Sequence, residues 1–429
     1  MSEEQQNWDF ETRAIHAGAQ PDPATGARSV PIYQTTSFVF NDPDHAAALF
    51  NLQEFGFIYT RIGNPTVSAL EERVASLEGG RAAVACASGH SAQLLTFFTL
   101  LEPGDHVVAA QYLYGGSINQ FNHMFPRFSW TKTFVDPHDI DAVKAAVTDK
   151  TKALFCESVS NPSASVTDLE AWARVAEEAR IPLVVDNTMA TPYLCRPFEW
   201  GADIIVHSLT KFLSGHGTSM GGIVVESGKF DWSQSGKFPY MTQPDPAYHG
   251  LSFYETFGDF AFSVKVRAVG LRDLGPALSP TNAFYILTGM ETLPLRMERH
   301  VANARELSGW LARHPKVSWV AHPELESSPE RARANKYIPR GGGSIFTFGV
   351  VGGYDMGRKV VERCQIFSHL ANVGDTRSLI IHPASTTHRQ LSEEQLVAAG
   401  AGPDVVRLSV GLESSKDLIA DLDQALAGA

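Results

Sequence analysis

From about Arg81 to Glu226 the chain repeats one pattern: a short, nearly continuous apolar run, then a longer stretch in which apolar residues recur at helical spacing. The runs are "RAAVACAS", "HVVAA", "KALFCES", "IPLVVDN", "ADIIVHS" and "MGGIVVES", with "SAQLLTFFTLL" and "TDLEAWARVAEEAR" as the helical stretches. Strands apolar on both faces, alternating with helices, predict an α/β fold with a mostly parallel sheet covered on both sides. In such sheets ligands bind beyond the carboxyl ends of the strands. Thr167, with Glu170 three residues later, reads as a capping box opening the second helix.

The flanks are patterned differently. Residues 1–60 read as an irregular arm with one helix, "DPDHAAALFNL". Residues 228–280 are rich in Gly, Pro, Phe and Tyr, and "TNAFYILTGMETLPLRMERHVANARELSGWLARH" then reads as one long helix. The tail alternates strands ("GGSIFTFGV", "VVRLSVGL") with helices ("DMGRKVVERCQIFSHL", "SKDLIADLDQAL"), which predicts a smaller α+β C-terminal domain. The expected division is an arm over 1–60, a ligand-binding α/β domain over 61–270 and the C-terminal domain over 271–429.

Composition narrows the partners. With 429 residues, 44% of them apolar, the chain can bury a large core and is too long for one compact domain. A net charge of −12 gives no electrostatic reason to approach nucleic acid or anionic lipid. The four cysteines form no CxxC pair and the fifteen histidines no HExxH, so no metal is expected. The polar, acidic start "MSEEQQNWDF" and the lack of a long uncharged apolar run predict a soluble protein of the reducing cytoplasm, partnered by a small molecule or another subunit.

Two apolar runs end on charges of opposite sign: "VVDNTMATP" on Asp186, "HSLTKFLSGHG" on Lys211. An unpaired charge in a core costs several kcal/mol by order of magnitude, so both need a partner. A lysine in a dry pocket favours its neutral amine, which can form a Schiff base with a carbonyl. A carboxylate about 4 Å from a pyridine nitrogen contributes ~4 kcal/mol at an effective dielectric of 20, enough to keep that nitrogen protonated. "CASGHSAQ" puts Ser88, Gly89 and His90 at a helix start, where free N–H groups favour an anion. The dipole supplies only ~0.3–1 kcal/mol, so further donors are needed. Ser208, Thr210, Tyr59 and Arg61 are candidates, each charge-assisted bond contributing ~1.5–3 kcal/mol. An aldehyde, a phosphate and a pyridine nitrogen on one molecule describe pyridoxal 5′-phosphate.

Three more residues complete the constellation. Tyr114 in "YLYGGS" is placed to stack on the ring and Asn161 in "ESVSNPS" to bond its phenolic oxygen, although singly such loop residues are more often structural. Arg407 in "VVRLSVGLE" reads as a bidentate clamp on a substrate carboxylate, against the plainer reading of an arginine snorkelling from a sheet edge. "SGHGTSMGG" lacks GxGxxG spacing, which disfavours a dinucleotide.

With "YTRIGNPT", "ASGHSAQ", "YLYGGS", "ESVSNPS", "VVDNTMATP", "HSLTKFLSGHG", "GDTRSLIIHPASTTH" and "VRLSVGLE" in this order, the chain resembles the Cys/Met-metabolism family of fold-type I pyridoxal phosphate enzymes over nearly its whole length. The resemblance implies that Lys211 carries the cofactor, Asp186 pairs with its ring nitrogen, Tyr114 stacks on the ring, and the Ser88 loop with Ser208 and Thr210 binds its phosphate. It implies that Tyr59 and Arg61 reach the phosphate of the neighbouring subunit, so that the dimer is the active unit and the tetramer the usual assembly. It also places Arg407 and Ser378 on the substrate, with Tyr114 or Tyr59 moving a proton to the leaving group. Within the family, "FPYMTQPDPAYHGLSFYETFGDFAFSVKVRA" and "SGHSAQ" imply γ-replacement on O-acetyl-L-homoserine by sulfide, giving L-homocysteine and acetate for methionine biosynthesis. Gly115 stands where methionine γ-lyases carry a cysteine. The alternatives are a cystathionine γ-synthase, an O-succinylhomoserine sulfhydrylase, or a binding protein without turnover.

Overall fold

The apolar runs become neighbouring strands because each is buried on both faces and can satisfy its backbone only against another strand. A computed structural model describes residues 7–386, 389 and 400–428. Among these, strands β1 (Ala82–Cys86), β2 (His106–Ala110), β3 (Thr131–Val135), β4 (Thr151–Glu157), β5 (Leu183–Asp186), β6 (Ile204–His207) and β7 (Gly222–Glu226) form one sheet. Their order is β1-β7-β6-β5-β4-β2-β3. Strand β7 runs antiparallel to both neighbours, and the other pairs are parallel. Strand β3 at the edge, "TKTFV", keeps exposed residues along its length, so it carries no continuous apolar run to announce it.

A second sheet has the order β10-β11-β12-β9-β8. Its strands are β8 (Val317–Ala321), β9 (Ile345–Val350), β10 (Ser368–His369), β11 (Leu379–Ile381) and β12 (Val405–Ser409), antiparallel except for β10 with β11. Its apolar face packs with Leu307, Val360, Leu418 and Leu422 from three helices, a cluster separate from the core of the large sheet. Leu278, Ile286, Met290 and Met297, beyond residue 270, pack into the larger core. Among the described residues no helix is long and apolar enough to cross a membrane.

Four local expectations are corrected. The helix Leu169–Ala179 is capped by Asp168, whose Oδ1 accepts the Ala171 amide at 3.0 Å. The Thr167 hydroxyl is committed elsewhere, donating to the Glu157 carbonyl at 2.7 Å. The long helix is two, Pro280–Met290 and Leu293–Leu311. Pro294 has no amide hydrogen, and its ring would meet the carbonyl of Met290 in a continuous helix. The helix Gly353–Arg363 stops earlier than its pattern suggests, because Asp421 collects the amides of Gln365, Ile366 and Phe367 and leads the chain into β10. The arm holds two helices, Phe10–His16 besides Pro43–Phe50, the first burying Phe10 and Ala14 in the large core.

Candidate active site

The carboxyl ends of β1, β4, β5 and β6 open onto a cavity of about 390 Å³, into which β12 of the small sheet also delivers a side chain. Ser88, Gly89, His90, Tyr114, Asn161, Asp186, Ser208, Thr210, Lys211 and Arg407 all line it. Residues up to 319 positions apart in the chain, Ser88 to Arg407, are thereby brought together.

At one end, Ser88 caps the helix Gly89–Leu100, its Oγ accepting the Ser91 amide at 3.1 Å. Strand β7 passes directly beneath: a Cβ on Gly222 would lie 1.9 Å from the Ser88 carbonyl oxygen. A Cβ on Gly89 would lie 2.7 Å from Ser208 Cβ, so glycine lets the helix start and the Lys211 loop close on each other. Thr210 Oγ1 accepts the Gly221 amide at 3.1 Å, and the Ser208 amide donates to Thr188 Oγ1 at 2.8 Å. The N–H groups that a helix start leaves without intrahelical partners, beside the Ser208 hydroxyl and a Thr210 hydroxyl that also donates to the Gly221 carbonyl at 3.2 Å, form a cradle suited to a phosphate.

Asp186 and Glu157 end β5 and β4 side by side in register. Burial raises the Asp186 carboxyl above its usual range, against the bonds from Thr188, whose amide donates to Oδ1 at 2.9 Å. Burial and then the charge of Asp186 push Glu157 well above the usual range. The Lys211 amine donates to Asn372 Oδ1 at 2.5 Å, and burial, assisted by the charge of Arg407, lowers its pKa to about 8. Arg407 donates to Asn161 Oδ1 at 3.3 Å and to the Asn372 carbonyl at 3.2 Å, and burial lowers it to about 10. The Tyr114 ring is half exposed, its centroid 5.8 Å from that of His90.

Three expected residues are elsewhere. Tyr59 and Arg61 lie at the surface, the Arg61 guanidinium 5.5 Å over the Tyr59 ring and donating to the Arg272 carbonyl. Ser378 does not reach the cavity and is corrected: it is fully buried, donating to Glu413 Oε2 at 2.9 Å and accepting the Gly411 amide at 2.8 Å. Its hydroxyl both donates to and accepts from the segment that follows β12. Thr387 and His388, which close the motif that contains Ser378, lie outside the described residues.

The cavity also holds residues that the sequence reading passed over. Glu157 closes an apolar run just as Asp186 does, and that signal could have found it. Asn372 is an uncharged loop residue with no pattern around it. Gln93 lines the wall with its Nε2 buried and without a partner among the described residues, a donor left for a bound acceptor.

An amine whose proton is loosened, a buried acid on the neighbouring strand and an anion cradle fit the aldehyde, ring nitrogen and phosphate of pyridoxal phosphate. On a mostly parallel seven-stranded sheet with a second, smaller domain, they define a fold-type I pyridoxal-phosphate-dependent enzyme. The chain belongs to the Cys/Met metabolism PLP-dependent enzyme family, whose pattern matches residues 11–427. It is 52% identical to the O-acetyl-L-homoserine sulfhydrylase of Leptospira meyeri, over 98% of this chain and 97% of that one. It is 51% identical to O-acetyl-L-homoserine sulfhydrylase 1 of Thermus thermophilus, over 97% of this chain and 100% of that one. An O-acetylhomoserine (thiol)-lyase from Campylobacter jejuni, solved with an N′-pyridoxyl-lysine-5′-monophosphate, superposes with a TM-score of 0.95 at 40% identity, covering 98% of this chain and 100% of that one.

Proposed function

We propose that the protein replaces the acetyl ester of O-acetyl-L-homoserine with sulfide, forming L-homocysteine and acetate for methionine biosynthesis, as a cytoplasmic homotetramer of active dimers. The observation that carries the chemistry is that Lys211, Asp186 and Arg407 share one cavity. The choice of ester and nucleophile is supported by the names of the sulfhydrylase relatives and by Gly115 beside Tyr114.

Bound here, pyridoxal phosphate supplies an aldehyde for amines and a protonated ring that accepts electrons released at a substrate carbon. Asp186 holds a negative charge against the ring nitrogen, and Ser88, Gly89, His90, Ser208 and Thr210 hold the phosphate. Arg407 binds the substrate α-carboxylate in two-pronged fashion, with Asn161 orienting its guanidinium. The neutral Lys211 amine would take the proton from the α-carbon, pass it on and then take one from the β-carbon as acetate departs from the γ-carbon with the bonding electrons. Hydrosulfide would then bond to the γ-carbon, and the β- and α-carbons would each regain a proton through Lys211. Tyr114 stacks over the ring, and Tyr114 or the neighbouring subunit's copy of Tyr59 moves a proton to the leaving group. Arg61 of that neighbour binds the phosphate, which makes the dimer the smallest active unit.

Steady-state kinetics with acetyl and succinyl esters of homoserine decides the reaction. The expected result is a kcat/KM at least about tenfold higher for the acetyl ester with sulfide, a difference of roughly 1.4 kcal/mol in transition-state binding. A preference for the succinyl ester, or for cysteine as acceptor, contradicts it.

A further inference from the structure

Glu157 is a buried acid with no part in the steps above. It sits at the end of β4 in the cavity wall, opposite Asp186, where burial and a second carboxylate both disfavour its charge. Its two oxygens have separate tasks. Oε1 accepts the Tyr114 amide at 2.6 Å, from the loop after β2, and Oε2 accepts the Asn161 amide at 3.1 Å, from the loop after β4. The Asn161 side chain in turn accepts from Arg407 Nη1 at 3.3 Å. One side chain therefore ties together the loop bearing the stacking tyrosine, the loop bearing Asn161 and, at one remove, an arginine from the other sheet.

The chemistry explains why an acid stands here despite its cost. Ionised or protonated, a carboxyl keeps a lone pair on each oxygen and can accept in both directions, whereas a glutamine offers one acceptor and turns an NH₂ toward the other amide, leaving two donors face to face. A buried N–H without an acceptor is unfavourable, so the loop on that side would shift to find one.

We propose that Glu157 is a positioning residue for this reaction: by accepting both amides it locks the Tyr114 and Asn161 loops in one arrangement, and through Asn161 it sets the angle at which Arg407 meets the substrate carboxylate. The inference rests on the reading of this cavity as the cofactor and substrate site.

The first test needs neither a variant nor turnover. Hydrogen–deuterium exchange resolved to single amides in the wild-type holoenzyme is expected to show Tyr114 and Asn161 protected at least about a hundredfold relative to an open loop. Exchange of either amide at the open-loop rate overturns the proposal. The second test is a double-mutant cycle of Glu157→Gln with Asn161→Ala, which removes the link to Arg407 but keeps the Asn161 amide. Glu157→Gln is expected to raise KM for the amino-acid substrate about tenfold with a smaller fall in kcat, and to cost less than about threefold in kcat/KM once Asn161 is already alanine. An unchanged KM, or a full multiplicative loss in the double variant, overturns it. If Glu157→Gln does not fold, Glu157→Asp, one methylene too short to reach both amides, enters the same cycle with the same expectations. A wild-type enzyme inactive on every homoserine ester would refute the reaction while leaving the exchange result standing.

Discussion

Lys211 is the residue on which most depends. Replacing it with alanine removes the amine that joins the cofactor and moves the α-proton; the expected result is loss of visible cofactor absorbance and a fall in kcat of at least ~10³-fold. Its lowered pKa gives a second prediction. The neutral amine is the reactive form, and with a pKa of about 8 only about a tenth of it is neutral at pH 7. The rate at which cofactor-free protein takes up pyridoxal phosphate should therefore rise about eightfold between pH 6.5 and 7.5 and level off above about 8.5, measured by stopped-flow absorbance. A rise that continues about tenfold per pH unit well beyond pH 8.5 would mean that the amine is not desolvated. Lys211 and Asp186 were legible in the sequence because a charge closing an apolar run has to be neutralised by something. Glu157 wrote the same signal in "ALFCE". Asn372 did not, since the 161 positions that separate it from its partner Lys211 are crossed only by tertiary packing. Ser378 misled because its motif fixes where the chain goes without fixing where its hydroxyl points.

At the level of elements, the site depends on how closely β7 passes under the loop that begins the helix Gly89–Leu100. Because the atom a Gly222 Cβ would meet is the Ser88 backbone oxygen, that loop must move to admit it. Gly222→Ala should weaken cofactor binding tenfold or more while leaving secondary structure intact, as followed by titration of absorbance and by circular dichroism. The opposite ends of β6 and β7 hold two buried acids. Asp203 accepts the Leu183 amide at 2.9 Å and Glu226 the Ser263 amide at 2.9 Å, and burial raises each pKa to about 7. A carboxyl raised on folding stabilises fully below its unfolded pKa and loses that contribution as pH rises to its folded value. Asp203→Asn, which keeps the acceptor but cannot ionise, should thus gain in melting temperature relative to the wild type as pH rises from about 4 to about 7 and hold that gain above it; a constant difference from pH 4 to 7 would show that Asp203 does not titrate in this window. The buried strands declared themselves in the sequence through continuous apolar runs. Strand β3 did not, being half exposed at the edge, and the break before Pro294 was masked by apolar periodicity that continues on both sides of it.

Across the whole molecule, the small sheet matters because β12 carries Arg407 to the cavity built on the large one. Proton chemistry and substrate recognition thus come from different halves of the chain, which is why no single segment of the sequence displays the complete site. Tyr59 and Arg61 at the surface give the assembly prediction. If Arg61 serves the neighbouring subunit, inactive Arg61→Ala and Lys211→Ala proteins mixed and reassembled should recover about a quarter of wild-type activity, since half of the dimers are mixed and one of their two sites is intact. No recovery would place Arg61 outside the neighbour's site. The central claim is that one cofactor joins a desolvated lysine to a buried acid at the ends of β6 and β5. Borohydride reduction of the holoenzyme followed by peptide mass mapping tests it most directly: the pyridoxyl group is expected on the peptide containing Lys211, in Asp186→Asn protein at strongly reduced occupancy, and its attachment to any other lysine would contradict the account.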